Sequence, residues 1–81
     1  MQVEIRMPSL GYDMDIGRIS AWLKEPGDRV ERGEPLAEIE TDKTTVEMEA
    51  LASGTLTEIV HAAGDEVAIG DVIAYLEDDR P

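Results

Sequence analysis

The stretch GRISAWLKEPGDRVERGEPLAEIETD, residues 17–42, recurs in altered form as GTLTEIVHAAGDEVAIGDVIAYLEDD, residues 54–79. The two align without a gap at an offset of 37 (17 onto 54). Gly17/Gly54, Gly27/Gly64, Asp28/Asp65, Val30/Val67, Gly33/Gly70, Ala37/Ala74, Glu40/Glu77 and Asp42/Asp79 are identical. Apolar character is kept at Ile19/Leu56, Trp22/Ile59, Leu23/Val60, Leu36/Ile73 and Ile39/Leu76. Chance rarely preserves glycines and apolar positions together, so each half reads as one structural unit and the pair packs about a pseudo-twofold axis.

The repeat extends backwards with a shift. Ile5 to Leu10 resembles Val46 to Leu51 at an offset of 41 (5 onto 46), which gives the first half four extra residues within Gly11–Ile16. An insertion in one copy of a symmetric fold is either a tolerated surface loop or a place where function has been added, since symmetry does not require it.

Val3, Ile5 and Met7 alternate with polar residues, as do Val46, Met48 and Ala50, the period of a half-buried strand. Gly27-Asp28, Gly33, Gly64-Asp65 and Gly70-Asp71 punctuate the chain at the intervals of turns between short strands. Leu36–Ser53 has no Gly or Pro and could be drawn as a helix with Leu36, Ile39, Val46 and Ala50 on one face. Its repeat partner Val72–Leu76 reads as a buried strand, however, and Thr44-Thr45-Val46 is a β-branched run that loses side-chain freedom in helices. The segment is therefore expected to form two strands with a turn at Asp42-Lys43. The fold class expected is all-β, a small sandwich or flattened barrel of two similar sheets.

Eighty-one residues make one small domain that buries only about 60% of its unfolded surface. There is no cysteine for disulfides, and the single His61 gives no structural zinc site, so no metal is expected. Stability must come from packing, which favours a closed architecture with few edges. Seven basic against nineteen acidic residues give a net charge of −12, spread along the chain. That charge argues against nucleic acid or an anionic membrane as partner, and for solubility and proteins with basic clefts. No stretch has the length and apolarity of a membrane span, and Met1–Arg6 lacks the basic and apolar runs of a signal peptide. The chain reads as an intracellular domain, or as a piece cut from a longer protein.

Only two lysines occur. Lys24 precedes Glu25-Pro26-Gly27-Asp28 and needs no more than a polar surface role. Lys43 lies within Glu40-Thr41-Asp42-Lys43-Thr44-Thr45, in the middle of the expected hairpin, where a side chain projects into solvent. An amine on a long stem at the tip of a rigid turn suits covalent attachment, although an exposed turn lysine is ordinarily just solvated.

Several segments together change that balance. Met7-Pro8-Ser9-Leu10-Gly11, Gly17-Arg18-Ile19, Trp22–Asp28, above all Glu40-Thr41-Asp42-Lys43, then Val46–Ala50, Ala52-Ser53-Gly54 and Gly64–Val67 resemble the lipoyl domain of 2-oxo acid dehydrogenase complex acyltransferases. The resemblance covers essentially the whole chain in order. It implies a flattened barrel of two four-stranded antiparallel sheets, the modified hairpin at one end and the termini at the other, over residues 1–78, with 79–81 a tail or the start of a linker. It also implies lipoic acid in amide linkage on Lys43. The lipoyl group accepts an acyl group from a thiamin-dependent 2-oxo acid decarboxylase, passes it to coenzyme A at an acyltransferase and is reoxidised by dihydrolipoamide dehydrogenase. The domain itself catalyses nothing and supplies reach and effective concentration.

By the same resemblance, Glu40 and Gly54 match positions read by the lipoate-attaching enzyme, and Asp42 and Thr44 fix the turn. The loop Leu10, Gly11, Tyr12, Asp13, Met14 and Asp15 matches one that lies near the arm and helps the decarboxylase recognise its domain. Gly54 has a plainer reading too, a permissive backbone at its turn. Three alternatives compete. A biotinyl carrier shares the fold but typically flanks its lysine with methionines, where this chain has Asp42 and Thr44. An unmodified lipoyl-like interaction module needs no lysine at the turn. An acidic enzyme built on Glu47 and Glu49 would place two carboxylates on one outward face with no partner to shift their pKa values.

Overall fold

Two features of the sequence, period-two alternation and regularly spaced glycines, are realised as eight strands in the computed structural model, which describes residues 1–9, 15–41 and 44–79. The strands are β1 (Gln2–Arg6), β2 (Ile16–Trp22), β3 (Arg29–Val30), β4 (Pro35–Glu40), β5 (Thr45–Glu49), β6 (Gly54–Ile59), β7 (Glu66–Ala68) and β8 (Val72–Asp78). No helix occurs among the described residues. The ambiguous Leu36–Ser53 segment forms β4 and β5, paired antiparallel with Ile39 opposite Val46.

The strands make two four-stranded antiparallel sheets, ordered β1-β8-β6-β3 and β5-β4-β2-β7. Exchanging β1 with β5, β8 with β4, β6 with β2 and β3 with β7 turns one order into the other, which is the pseudo-twofold the repeat requires. Alternate residues point into the space between the sheets. Ile19, Val30, Leu36, Ile39, Val67, Ile73 and Leu76 meet there at 2% exposure or less, and fully burying each such side chain stabilises the fold by about 1.5–3 kcal/mol before entropy is counted. Backbone contacts obey the same symmetry. The Gly27 N–H donates to the Leu56 carbonyl and the Gly64 N–H to the Ile19 carbonyl, each at 2.7 Å. Both glycines have positive φ, 97° and 98°, a conformation other residues adopt at a cost.

The twofold corrects the register drawn from sequence for the first strand. The Gly70 N–H donates to the Met7 carbonyl at 3.0 Å, and the Gly33 N–H to the Ala50 carbonyl at 2.9 Å. Met7 is therefore the mate of Ala50, and Ile5, opposite Ala74, is the mate of Met48, opposite Ala37. The offset is 43 (7 onto 50), two residues more than the sequence match suggested. A slip of two keeps every side chain on its own face, so hydrophobic alternation could not distinguish the registers. Nine residues separate Met7 from Gly17 and three separate Ala50 from Gly54, so the insertion in the first half is six residues, not four.

Candidate functional site

β4 and β5 are held to the core by Leu36, Ile39 and Met48 and run on until Glu40 pairs with Thr45. Beyond that pair the hairpin is closed by two threonines. The Thr41 N–H and the Thr41 Oγ1 each lie 2.8 Å from the Thr44 carbonyl, to which they donate, and the Thr44 N–H donates to Thr41 Oγ1 at 3.1 Å. Only positions 42 and 43 separate these residues. Asp42 and Lys43 lie outside the described residues, but the two backbone ends that carry them are fixed by three hydrogen bonds. Thr44 and Thr45 are exposed.

Glu40 is exposed beside this closure. Its carboxylate is 3.9 Å from the Arg18 guanidinium, with each side chain about half exposed, a pair worth little on its own. Arg18 pairs with Glu40 on one side and with Glu66 of β7 on the other. β7 then runs on past that level as Val67 pairs with Gly17 and Ala68 with Ile16, so the β7–β8 turn stands at the hairpin end.

That turn also holds both ends of the inserted loop. The Ile69 N–H donates to the Asp15 carbonyl at 2.9 Å, and Met7 exchanges backbone hydrogen bonds with Gly70 and Asp71. Asp15 is exposed, while Leu10, Gly11, Tyr12, Asp13 and Met14 lie outside the described residues. The structure thus brings together Glu40, Thr44 and Asp15, together with Arg18 and Glu66, which sequence reading did not single out. Thr41 lies within the Glu40–Thr45 motif, with no role of its own assigned from sequence. Its signal was present: a hydroxyl residue on each side of a two-residue connection, able to satisfy the turn's polar backbone.

Gly54 is not brought to this end. It pairs with Asp78 and with Val30, and the Asp79 N–H donates to the neighbouring Ser53 carbonyl. Arg29 grips the Asp79 carboxylate with two contacts of 2.6 Å, and the Arg32 N–H donates to Ser53 Oγ, so the end of β8 lies against the segment leading into β4. β5 runs from Thr45 beside the hairpin closure to Glu49 before the chain reaches Gly54, so Gly54 lies beyond the far end of that strand. Geometry gives Gly54 a structural reason to be glycine: a Cβ there would lie 2.1 Å from the Glu77 carbonyl oxygen and 2.7 Å from the Asp78 Cα.

Among the described residues no group of three or more His, Cys, Asp or Glu is placed to hold a metal ion. Lys24 reaches Glu34 at 3.0 Å and is only about a quarter exposed, as a structural surface lysine would be.

The described residues thus form a symmetric pair of four-stranded sheets ending in a tightly closed hairpin, and the sequence puts Lys43 in the hairpin's two-residue connection. The chain matches the family described as "Biotin-requiring enzyme" over residues 3–76. It is 52% identical over 78 residues to the dihydrolipoyllysine-residue acetyltransferase component 3 of the mitochondrial pyruvate dehydrogenase complex of Arabidopsis thaliana, covering 95% of this chain and 14% of that protein. It is 45% identical over 75 residues to the dihydrolipoyllysine-residue succinyltransferase component of the Bacillus subtilis 2-oxoglutarate dehydrogenase complex, covering 93% of this chain and 18% of that protein. The solution structure of the lipoyl domain of the Azotobacter vinelandii 2-oxoglutarate dehydrogenase complex superposes with a TM-score of 0.78 at 36% identity, covering 94% of this chain and 96% of that one. The chain belongs to the biotinyl/lipoyl-attachment family and, within it, to the lipoyl domains, which are non-catalytic carriers. It spans less than a fifth of the length of these two curated relatives.

Proposed function

We propose that Lys43 carries lipoic acid in amide linkage and that the domain carries acyl groups within a 2-oxo acid dehydrogenase complex. The observation that supports this best is the closure of Thr41 on Thr44, which leaves a two-residue Asp-Lys connection at the end of a rigid sheet. A carrier lysine must be presented to several enzymes in turn, and a stiff hairpin presents it at low entropic cost. The attached dithiolane supplies a disulfide that is reduced as an acyl group is taken up and restored after the group is handed on. The chain contributes position: Thr41 and Thr44 set the base of the turn, and Asp42 precedes the lysine in sequence. Glu40, exposed beside the hairpin, is read by the lipoate-attaching enzyme, whereas Gly54 serves the carrier by letting β6 pack closely on β8. The absence of cysteine anywhere in the chain spares the arm an intramolecular thiol–disulfide exchange.

The partners in this reading are a thiamin-dependent 2-oxo acid decarboxylase, an acyltransferase domain that uses coenzyme A, and dihydrolipoamide dehydrogenase, and the parent protein is an acyltransferase component. Its location follows that of its complex, the mitochondrial matrix or the bacterial cytoplasm. Biotin in place of lipoate is disfavoured because Asp42 and Thr44, not methionines, flank the lysine. The test is reductive acylation. The lipoylated domain, incubated with a 2-oxo acid decarboxylase and labelled substrate, should take up label far faster than free lipoamide at the same concentration. Equal rates would remove the domain's role as a recognised carrier.

A further inference from the structure

The edges of the two sheets face each other on one side of the barrel, β1 against β5, and leave between them a groove of about 310 Å³. Its floor is Val3, Ile5, Leu36, Met48 and Leu76. Its walls include Glu4 and Arg6 on one side and Glu47 and Glu49 on the other, and Leu51, 84% exposed, stands at its rim. The groove lies across the pseudo-twofold axis, since Ile5/Met48 and Arg6/Glu49 are mates.

The backbone of these walls is available for pairing. In an antiparallel strand alternate residues turn both their N–H and C=O to the same neighbour. Thr44 and Ala50 bond to the β4 side, so Thr45, Glu47 and Glu49 turn theirs to the open edge. Met1 and Met7 bond to the β8 side, so Gln2, Glu4 and Arg6 do likewise. The four charged wall residues are thus ones whose main-chain groups point out of the sheets.

The two walls differ in charge. Arg6 is engaged, with one guanidinium nitrogen 2.6 Å from Glu4 and another donating to the Gly70 carbonyl at 2.7 Å. Glu47 and Glu49 have no ion pair among the described residues, and Glu47 stands directly opposite Glu38 on β4, a like-charge cross-strand pair that costs stability. A strand laid on the β5 edge would place alternate residues over the apolar floor and the others beside Glu47 and Glu49. We propose that the β5 edge is a docking site for an extended segment of a partner protein in which apolar and basic residues alternate. The partner adds a strand to the β5 edge through backbone hydrogen bonds, its apolar side chains fill the groove and its cations relieve the Glu38–Glu47 repulsion.

The test is a titration of the 15N-labelled chain with a capped seven-residue peptide alternating Lys and Val. Amide shifts should fall on Glu4, Arg6, Glu47, Glu49 and Leu51. N-methylation of the peptide nitrogens that face β5 should weaken binding about tenfold, because two or three hydrogen bonds are lost. Glu47→Gln with Glu49→Gln, or 0.5 M salt, should weaken it severalfold. Equal binding by the N-methylated peptide would overturn the proposal, as would shifts on the outer face of β2 and β4 or no shifts at all. Concentration-dependent self-association through the same amides without peptide would make a second copy the occupant and would also overturn it.

Discussion

The amide of Thr41 donates to the carbonyl of Thr44 at 2.8 Å, and the twofold sets the amide of Asp78 on the carbonyl of Met1 in the same way at 2.9 Å. One contact closes the hairpin that holds Asp42 and Lys43. Its mate joins the two ends of the chain on the opposite side of the barrel. The fold thus uses one device twice, once to close the hairpin between β4 and β5 and once to hold Met1 against the end of β8.

The hydroxyl of Thr41 both donates to and accepts from Thr44, so Thr41→Val removes two of the three closing hydrogen bonds while keeping the side chain's shape. It should cost about 1 kcal/mol in urea unfolding and slow lipoylation, because the attachment turn is less well held. Unchanged lipoylation kinetics would show that the turn's order does not matter to the modifying enzyme.

Gly54→Ala should be costly for packing reasons alone. The added Cβ meets backbone of β8, which cannot rotate away as a side chain would. Destabilisation of about 2–3 kcal/mol is expected from denaturant midpoints, with the strand pair β6–β8 most affected in hydrogen exchange. If the variant is as stable as the parent, the close approach of β6 to β8 is wrong.

Acid should act through two carboxylates. Glu34 lies below its ordinary value of 4.5 because it accepts the Glu31 N–H and, secondarily, because it pairs with Lys24; Asp79 lies below 3.8 because it is gripped by Arg29. Each binds fewer protons folded than unfolded, so its contribution is complete above the ordinary value and is lost as pH falls through the lower, folded one. Protonation also relieves the self-repulsion of a −12 chain, so the comparison must be internal. The urea midpoint of the parent should fall more steeply between about pH 5 and 3 than that of a Glu34→Gln, Asp79→Asn variant. Parallel curves would contradict this.

The inserted loop can be removed by copying the other half. Replacing residues 8–16 with the Leu-Ala-Ser of positions 51–53 deletes the six extra residues and leaves both flanking strands in register. Lipoylation of Lys43 should persist and reductive acylation by the cognate decarboxylase should fall sharply, with circular dichroism confirming the barrel. Wild-type acylation by the shortened, fully lipoylated domain would make the loop a tolerated insertion.

Much of this was legible in the sequence, for physical reasons. Glycines needed at positive φ and apolar residues needed between sheets cannot drift, so the repeat of 17–42 in 54–79 displayed the twofold directly. β1 and β5 lack such glycines, and an alternating pattern slipped by two residues looks the same, so their register came only from the Met7–Gly70 and Ala50–Gly33 hydrogen bonds. The neighbourhood of Glu40 was legible only in part. Arg18 and Glu66 reach it through strand pairing across 22 and 26 residues of sequence, a non-local relation that no local spacing encodes. Gly54 was noticed for the right residue type, but the backbone it must avoid is 23 residues away at Glu77.

The proposed carrier role requires that one lysine, Lys43, takes lipoate. Its most direct measurement is peptide-mapped mass spectrometry of the parent, Lys24→Ala and Lys43→Ala chains after incubation with a lipoate-attaching enzyme, lipoate and ATP. One lipoyl group is expected on Lys43 in the parent and in Lys24→Ala, and none in a folded Lys43→Ala chain. Lipoate on Lys24, or on a Lys43→Ala chain at any site, would contradict it.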